Sequence, residues 1–315
     1  MFRVIILVIF SLFFQACKKD SFELLWQKVE TNTTENLYSL NIINNELVIF
    51  GGATYNIGKQ IKISLSNEQL IANDSIAPKA IYSSYFLDAN YGRACGYDGK
   101  IYFTENSGNS WSLLQTSSWR ALQSIHYNYG WGIAVGGLGN NEGAIQVNYD
   151  TVWQWKEFLI DRELRSVYIT DSTTAFAVGN GIMLKTTDKG ITWSPINVDG
   201  DLFTDIQFVT PQTGYVLGYS GLLFKTTNSG KTWQKIKIQK SILNRTYLNA
   251  LYFINEQTGF ICGNNGIILK TTNGGNTWLQ AKNISSENLY NIIIDSTTNK
   301  GYACGTNGTL LSFSL

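Results

Sequence analysis

Short apolar segments alternate with glycine-containing turns along most of the chain. Segments 164–169, 203–208, 248–253 and 289–294 are apolar at most positions, and each is followed by a second, small-residue-rich segment that ends in glycine. Short runs bounded by turn residues are typical of β-strands. Strict polar–apolar alternation is weak, which is expected where strands are buried on both faces. The pattern therefore predicts an all-β protein built from many short strands.

The strands recur as a repeated unit. Five blocks with a small residue at the start and glycine at the end align without gaps: 92–96, 175–179, 214–218, 259–263 and 301–305. Each block has an apolar strand before it and a turn and another apolar strand after it. Repeats of about 40 residues with four strands are typical of propeller blades. We name the strands of one repeat A to D in chain order, from the centre outward.

The turn between strands C and D carries the most specific motif. Segments 104–111, 186–193, 226–233 and 271–278 all fit Ser/Thr-x-Asp/Asn-x-Gly-x-Ser/Thr-Trp, the Asp-box pattern. Asn or Asp can bond the backbone of its own turn, glycine accommodates a positive φ, and the tryptophan supplies apolar surface. We therefore predict a structural role for Thr104, Asn106, Gly108, Trp111, Thr186, Asp188, Gly190, Trp193, Thr226, Asn228, Gly230, Trp233, Thr271, Asn273, Gly275 and Trp278.

Two further repeats are degenerate. Residues 119–158 keep an aspartate and a tryptophan at the box positions but have Val152 in place of glycine, and residues 37–71 have no recognisable box. These two repeats bring the number of complete units to six.

A seventh unit begins at Leu289, and the sequence reaches Leu315 before its strand D. At the other end, residues 26–29 resemble the strand D at 233–236. A strand from the N-terminal end that completes the last blade would close the ring and leave no unpaired edge. We therefore predict a seven-bladed β-propeller of four-stranded blades over residues 26–315, in which residues 26–29 pair with strand 309–314.

The first residues predict export. Arg3 is followed by an apolar run at 4–14, interrupted by Ser11, that is too short for a membrane-spanning helix of about 20 residues and fits a signal peptide. With Ala16, Cys17 and the Lys-Lys-Asp that follows, the segment resembles a bacterial lipoprotein signal of the Bacteroidetes type. The resemblance implies a signal peptide at 1–16, lipidation of Cys17, a tether at 17–25 and an outer-membrane location, periplasmic or surface-exposed. An ordinary signal peptide with an incidental cysteine is the alternative.

Composition and charge argue against several classes of function. The chain has 24 Lys and Arg against 23 Asp and Glu, and removal of the leader with Arg3 makes it neutral. A neutral chain lacks the basic footprint of a nucleic-acid-binding protein. The cysteines have no Cys-x-x-Cys spacing, so neither a metal nor another cofactor is expected. Cys95, Cys262 and Cys304 share one strand B position, which predicts buried free thiols.

The boxes and the Gly-aromatic-x-x-Gly strands resemble the BNR/Asp-box class, and most closely the propeller family of the photosystem II stability and assembly factor. Residues 264–278 carry the nearest copy of that family's repeat, and the resemblance covers about residues 26–315. It implies a propeller that binds partner proteins and is not an enzyme. The photosynthetic members use an arginine-rich surface, whereas this chain has five arginines after the leader. The resemblance therefore implies the fold and not the partner.

Asp boxes also occur in sialidases and glucan hydrolases, so an enzyme is the alternative. A sialidase needs three arginines around a carboxylate, and a retaining glycosidase needs paired carboxylates about 5 Å apart. The A strands carry mostly Ser or Asn beside Asp205, and the single histidine, His126, is more typical of a packed residue. We therefore predict a monomeric, non-enzymatic, envelope-anchored scaffold that binds a protein partner. A carbohydrate-binding or glycan-cleaving propeller remains the second hypothesis.

Strand alternation places the D–A and B–C loops on one face and the A–B loops and Asp boxes on the other. Because the boxes are nearly identical, the face that differs from blade to blade is the better candidate for binding. Arg and Tyr are frequent at binding hot spots, and the predicted partner-binding residues are Arg120, Arg162, Arg165, Tyr55, Tyr97 and Tyr219. The three arginines are predicted to form a small positive patch for an acidic partner; the alternative is that all six are ordinary solvated loop residues.

Overall fold

The computed structural model describes residues 21–22, 26–114, 119–139, 142–149, 158–198, 202–243, 246–282 and 285–315. The leader and Cys17 lie outside these residues. The strands before blade 1 are β1 (Ser21–Phe22) and β2 (Trp26–Lys28). Blade 1 contains β3 (Asn36–Ile43), β4 (Glu46–Ala53), β5 (Ile57–Ser64) and β6 (Leu70–Ala77), and blade 2 contains β7 (Ile81–Phe86), β8 (Gly92–Gly96), β9 (Ile101–Thr104) and β10 (Ser112–Leu114).

The remaining blades follow in chain order. Blade 3 contains β11 (Ala121–Asn128), β12 (Trp131–Gly137), β13 (Gly143–Tyr149) and β14 (Phe158–Ile160); blade 4 contains β15 (Leu164–Ile169), β16 (Ala175–Gly179), β17 (Ile182–Thr186) and β18 (Ser194–Pro195). Blade 5 contains β19 (Phe203–Phe208), β20 (Gly214–Gly218), β21 (Leu222–Thr226) and β22 (Gln234–Lys237); blade 6 contains β23 (Leu248–Phe253), β24 (Gly259–Gly263), β25 (Ile268–Thr271) and β26 (Leu279–Ala281). Blade 7 contains β27 (Leu289–Asp295), β28 (Lys300–Gly305) and β29 (Leu310–Ser314). A single helical turn, α1 (Lys240–Leu243), precedes blade 6, and short 3-10 turns occupy Asn264–Gly266 and Thr306–Gly308.

The strands form seven sheets, and consecutive strands within each blade are antiparallel neighbours. Blade 7 takes its fourth strand from the N-terminal side of the chain, because β2 pairs with β29 through Trp26 with Phe313 and Lys28 with Leu311. The Trp26 and Phe313 rings lie 4.4 Å apart. The predicted seven-bladed propeller, closed by an N-terminal strand, is confirmed.

Glu68 strengthens this closure from the neighbouring blade. It lies in the C–D turn of blade 1, and its carboxylate accepts hydrogen bonds from Lys300 Nζ at 2.7 Å and Ser312 Oγ at 3.2 Å. Gln27 Nε2 of the closing strand also donates to it. One carboxylate thus joins blade 1 to three strands of blade 7.

One strand was not predicted. Ser21 and Phe22 pair in parallel with Gln280 and Ala281, so β1 becomes a fifth strand on the outer edge of blade 6. These two residues fall within the tether expected at 17–25, since a two-residue strand leaves no periodic pattern in the sequence. Among the described residues, no helix is long and apolar enough to cross a membrane.

The Asp boxes make the same bonds in each of the four copies. In blade 6, Thr271 Oγ1 accepts a hydrogen bond from Gly275 N at 3.0 Å, and Asn273 Oδ1 accepts one from Thr277 N at 2.9 Å. Gly275 has φ +88°, and a Cβ there would lie 2.5 Å from Leu223 of blade 5. The box glycine therefore closes its own turn and also lets the turn approach the preceding blade.

Buried side chains of the described residues form seven clusters, each shared by two neighbouring blades. Cys95, Cys262 and Cys304 are buried in three different clusters and are free thiols. The prediction of buried, unpaired cysteines is confirmed. Burial raises the pKa of each thiol above its ordinary value.

Candidate functional site: the central funnel

Every strand A contains a β-bulge at the same position. The register with strand B shifts near the start of the strand, as between Leu37 and Ser39 in blade 1 and between Leu164 and Ser166 in blade 4. A bulge inserts one residue and redirects a side chain. The seven extra residues are Tyr38, Tyr82, Gln123, Arg165, Thr204, Asn249 and Tyr290, and all of them line a cavity of about 590 Å³ at the D–A/B–C face.

We call this cavity the funnel, and the D–A/B–C face the funnel face. Three of the seven bulge residues are tyrosines, in blades 7, 1 and 2, and the other four are amide, hydroxyl and guanidinium side chains, so one side of the ring is aromatic and the other is polar. The Asp boxes, in contrast, repeat one chemistry. The side chains of the blades therefore differ more in the funnel than in the Asp boxes.

A ring of small polar side chains lies directly below the bulge residues. Ser83 Oγ accepts a hydrogen bond from the backbone N–H of Ile125 in the next blade at 3.2 Å, and Ser124 Oγ accepts one from Val167 at 3.3 Å. Ser39, Ser166 and Asp205 do the same for their own following blades. These bonds occupy N–H groups on the inner strand edges of blades 2 to 6, which an added strand would otherwise pair with.

Asp205 is the single carboxylate among the described residues that line the funnel. Its oxygens accept hydrogen bonds from Ser166 Oγ at 2.9 Å and Leu251 N at 3.0 Å. Burial of the carboxylate away from solvent has a larger effect than these hydrogen bonds and raises the pKa of Asp205 to about 6. It joins blades 4, 5 and 6, and no second carboxylate of the described funnel lining stands beside it as a retaining glycosidase would require.

Aromatic rings form the next layer toward the Asp-box face. His126 lies between Tyr85 and Tyr168, with ring centroids 4.4 and 4.5 Å away. Burial lowers the pKa of His126 to about 3. The imidazole is therefore neutral near pH 7 and far from the pKa that suits a general base. Across the described residues, no group of three or more His, Cys, Asp or Glu side chains is placed to hold a metal ion.

The three predicted arginines all lie on the funnel face, but acidic residues accompany them. Arg165 Nη2 lies 3.2 Å from Glu163 Oε2, and Arg120 Nε lies 3.4 Å from Glu142 Oε2. Arg162 Nη1 donates to the Gly181 carbonyl at 3.1 Å. Two of the three arginines of the predicted patch are therefore paired with carboxylates, and the third bonds a backbone carbonyl. Sequence reasoning counted the arginines but could not assign their partners.

The predicted tyrosines belong to a larger aromatic surface. Tyr55 contacts Tyr97 at a centroid distance of 4.9 Å, and Tyr219 stacks on Tyr247 at 4.2 Å. Trp119 is also on this face, is 64% exposed, and has the Arg120 guanidinium 5.4 Å from its ring. The sequence patterns did not mark Trp119, Tyr247 or the bulge tyrosines. An alignment of the A strands at the apolar residue before the bulge, such as Leu37, Ile81 and Leu289, places the three bulge tyrosines at one position.

Comparison with known proteins agrees with these repeats. The family model of the photosynthesis system II assembly factor YCF48 matches residues 145–239 and 191–284, within blades 3 to 6. Residues 145–284 are similar to the YCF48 repeats. The resemblance inferred from the Asp boxes is confirmed by this match. A search of curated proteins finds no significant match.

Solved propellers share the architecture. A structure titled "YCF48 bound to D1 peptide" is 18% identical, with a TM-score of 0.70, and the alignment covers 92% of this chain and 97% of that one. YCF48 from Cyanidioschyzon merolae is 15% identical, with a TM-score of 0.69 and coverage of 92% and 98%. The WD40 propeller domain of Doa1 is 10% identical, with a TM-score of 0.67 and coverage of 92% and 97%. At these identities the similarity shows the fold.

Proposed function

We propose that this chain is a non-enzymatic scaffold that binds a partner protein through its funnel face. The observation that carries the proposal is the ring of seven bulge residues, which is aromatic in blades 7, 1 and 2 and polar in blades 3 to 6. Exposed aromatic residues surround it, and such residues dominate protein-binding hot spots. The YCF48-like repeats support the same class of function, since one YCF48 structure contains a bound peptide.

The absence of an enzymatic role is part of the proposal. A lone carboxylate engaged by Ser166 and by two backbone N–H groups, and a neutral histidine packed between two tyrosines, favour structural roles for Asp205 and His126. A hydrolase would need a paired acid and base with access to a substrate.

The partner-binding proposal is tested by affinity purification of the full-length protein from membranes of its native cells after chemical crosslinking. Tyr55→Ala/Trp119→Ala changes two exposed rings of the funnel face. Tyr129→Ala is the matched control, because Tyr129 is 52% exposed in an A–B loop on the Asp-box face. We expect loss of the crosslinked partner from the double variant and its retention by the control. Loss from the control alone would place the binding surface on the other face.

We further propose that Cys17 anchors the protein to the outer membrane through a lipid. The support is the Ala-Cys-Lys-Lys sequence after an apolar run too short to span a bilayer. In a Cys17→Ser variant, we expect the leader to be retained or processed elsewhere and the lipid to be absent. Mass spectrometry of the N-terminal peptide provides the measurement, and an unmodified Cys17 in the wild-type protein would refute the proposal.

A further inference from the structure

Five tyrosines form a continuous row across blades 7, 1 and 2 of the funnel face. Tyr290 stacks against Tyr38 at a centroid distance of 5.2 Å, and Tyr38 meets Tyr82 edge to face at 5.1 Å. Tyr82 meets Tyr97 at 6.5 Å, and Tyr97 meets Tyr55 at 4.9 Å. We call this row the tyrosine ribbon. It runs from the funnel wall to the outer rim, where Tyr55 is 69% exposed.

The ribbon is fixed in place by the fold. Tyr290, Tyr38 and Tyr82 occupy bulge positions of neighbouring A strands, and Tyr97 and Tyr55 follow in the B–C turns of blades 2 and 1. Rigid aromatic side chains supply contact area at a small cost in conformational entropy. A ligand would therefore meet a preorganised surface.

The hydroxyl groups of the ribbon have polar neighbours within the protein. Asn36 Nδ2 donates to Tyr38 Oη at 3.1 Å, the Tyr82 hydroxyl lies near Thr54, and the Tyr97 hydroxyl lies near Tyr55. Ring faces and edges therefore form a large part of the contact surface. A sugar needs a set of directed hydrogen bonds around its ring, so this arrangement favours a ligand that presents apolar side chains.

The charge of the surroundings favours an uncharged ligand. Asp98 lies 3.3 Å from Lys100 beside Tyr97, and the Lys79 ammonium lies 5.4 Å from the Tyr97 ring. Across the funnel, Arg165 and Arg120 are paired with Glu163 and Glu142. Within these ion pairs the two signs of charge balance, so electrostatic attraction through them would contribute little to binding.

The mode of peptide recognition follows from the inner strand edges. Side chains of the preceding blades already occupy N–H groups of blades 2 to 6, so addition of a β-strand inside the funnel is disfavoured. Aromatic-lined surfaces instead recognise extended polyproline-type segments, whose backbone carbonyls make no internal hydrogen bonds. On the funnel wall, Gln123 Nε2 donates one N–H to Glu163 Oε1 at 3.1 Å and has a second N–H of the kind that donates to such carbonyls. Both N–H groups of Asn249 are already used by Asn264 Oδ1 and the Leu289 carbonyl.

We propose that the tyrosine ribbon is the docking track for an extended, uncharged segment of the partner protein that carries proline or aromatic side chains. These side chains sit on the tyrosine rings, while the segment leads into the amide-lined side of the funnel. The inference rests on the proposed function and specifies the chemistry of the partner.

The test uses the full-length protein in detergent and a phage-displayed library of random dodecapeptides. We expect enrichment of peptides rich in Pro, Tyr or Trp without net charge. Fluorescence anisotropy of the synthesised peptides should give a Kd that changes less than twofold between 50 and 500 mM NaCl, since screening acts on charges. Tyr55→Ser and Tyr82→Ser should each raise Kd at least tenfold. Tyr82→Phe and Tyr129→Ser should leave Kd within about twofold, because they keep the ribbon's rings.

Enrichment of acidic peptides, with binding that weakens in salt, would assign recognition to the arginines and overturn the inference. Saturable binding of the neutral oligosaccharide maltohexaose, abolished by Tyr82→Ser, with no peptide enriched, would overturn it in favour of a glycan. The proposed function fails separately: it fails if the crosslinked partner remains bound to Tyr55→Ala/Trp119→Ala, whatever the library selects. Because the Tyr55 ring is largely exposed, we expect Tyr55→Ser to unfold at the same temperature as the wild-type protein, which would assign its effect to binding.

Discussion

His126 and Asp205 should make the stability of the propeller respond to acid in opposite directions. Burial lowers the pKa of His126 from 6.5 to about 3, so the unfolded chain binds the proton more readily. Its contribution to the free energy of unfolding is present above pH 6.5 and is lost as the pH falls toward 3. Burial raises the pKa of Asp205 from 3.8 to about 6, so the folded chain binds the proton more readily. That contribution is full below pH 3.8 and is lost as the pH rises through 6.

The two effects are similar in size. At about 1.4 kcal/mol per pKa unit, acidification from pH 7 to pH 4 costs about 3 kcal/mol through His126. Over the same interval protonation of Asp205 returns about 2 kcal/mol, because at pH 4 the carboxyl of the unfolded chain is also partly protonated. The contributions nearly cancel in the wild-type protein, and single substitutions should separate them.

The assay is urea unfolding followed by tryptophan fluorescence at several pH values between 7 and 4. His126→Phe keeps a ring between Tyr85 and Tyr168, and it should lose about 3 kcal/mol less than the wild-type protein on acidification. Asp205→Asn keeps an acceptor for Leu251 N and should lose about 2 kcal/mol more. Carboxylates with lowered pKa values, such as Asp188, are common to all three proteins, so differences between the profiles isolate the two residues. Three parallel profiles would refute the reasoning.

Three further predictions concern the closure, the boxes and the thiols. Trp26→Ala should lower the free energy of unfolding by about 2–4 kcal/mol, since it removes the ring that packs on Phe313. The control Trp119→Ala should change the free energy of unfolding by less than about 0.5 kcal/mol. Equal effects of the two substitutions in chemical denaturation would contradict the closure. Gly230→Ala should lower the free energy of unfolding by well over the ~1–2 kcal/mol of a positive φ, because its Cβ would meet the Phe176 ring at 2.4 Å. Gly130→Ala, with a similar φ and open space around it, should cost only that backbone strain. Similar melting temperatures for the two variants would argue against the contact between blades. The three propeller thiols, Cys95, Cys262 and Cys304, should resist a soluble thiol reagent in the native state and should all react in urea. Labelling under native conditions would contradict their burial.

The repeat architecture was predictable because its determinants are local. An Asp box specifies its own turn through hydrogen bonds within eight residues, such as those of Thr271 and Asn273, and four gapless copies therefore set the register of the blades. The incomplete last unit and the spare strand at Trp26 then indicated how the ring closes. Pairing between residues 26–28 and 311–313 follows from counting units, although the two segments are distant in sequence.

The character of the funnel was less predictable because it depends on contacts between blades. The tyrosine ribbon joins residues of blades 7, 1 and 2, and no single repeat shows that Tyr290 and Tyr38 are neighbours. The ion pair of Arg120 was not predictable, because it depends on the B–C loop of the same blade bringing Glu142 within 3.4 Å. The sequence placed both arginines and tyrosines on the correct side of the disc, but it could not determine which chemistry predominates there.

The small strand β1 has a consequence for how the disc would stand on a membrane. It runs parallel to β26, which leads from the Asp box of blade 6 toward the funnel face, so Ser21 lies at the Asp-box end of the outer edge. Four residue steps separate Ser21 from Cys17, a reach of about 14 Å for an extended chain. If Cys17 carries the proposed lipid, the anchor would attach near the Asp-box end of the outer edge of blade 6. Such an attachment would favour an orientation with the boxes toward the bilayer and the tyrosine-lined opening away from it.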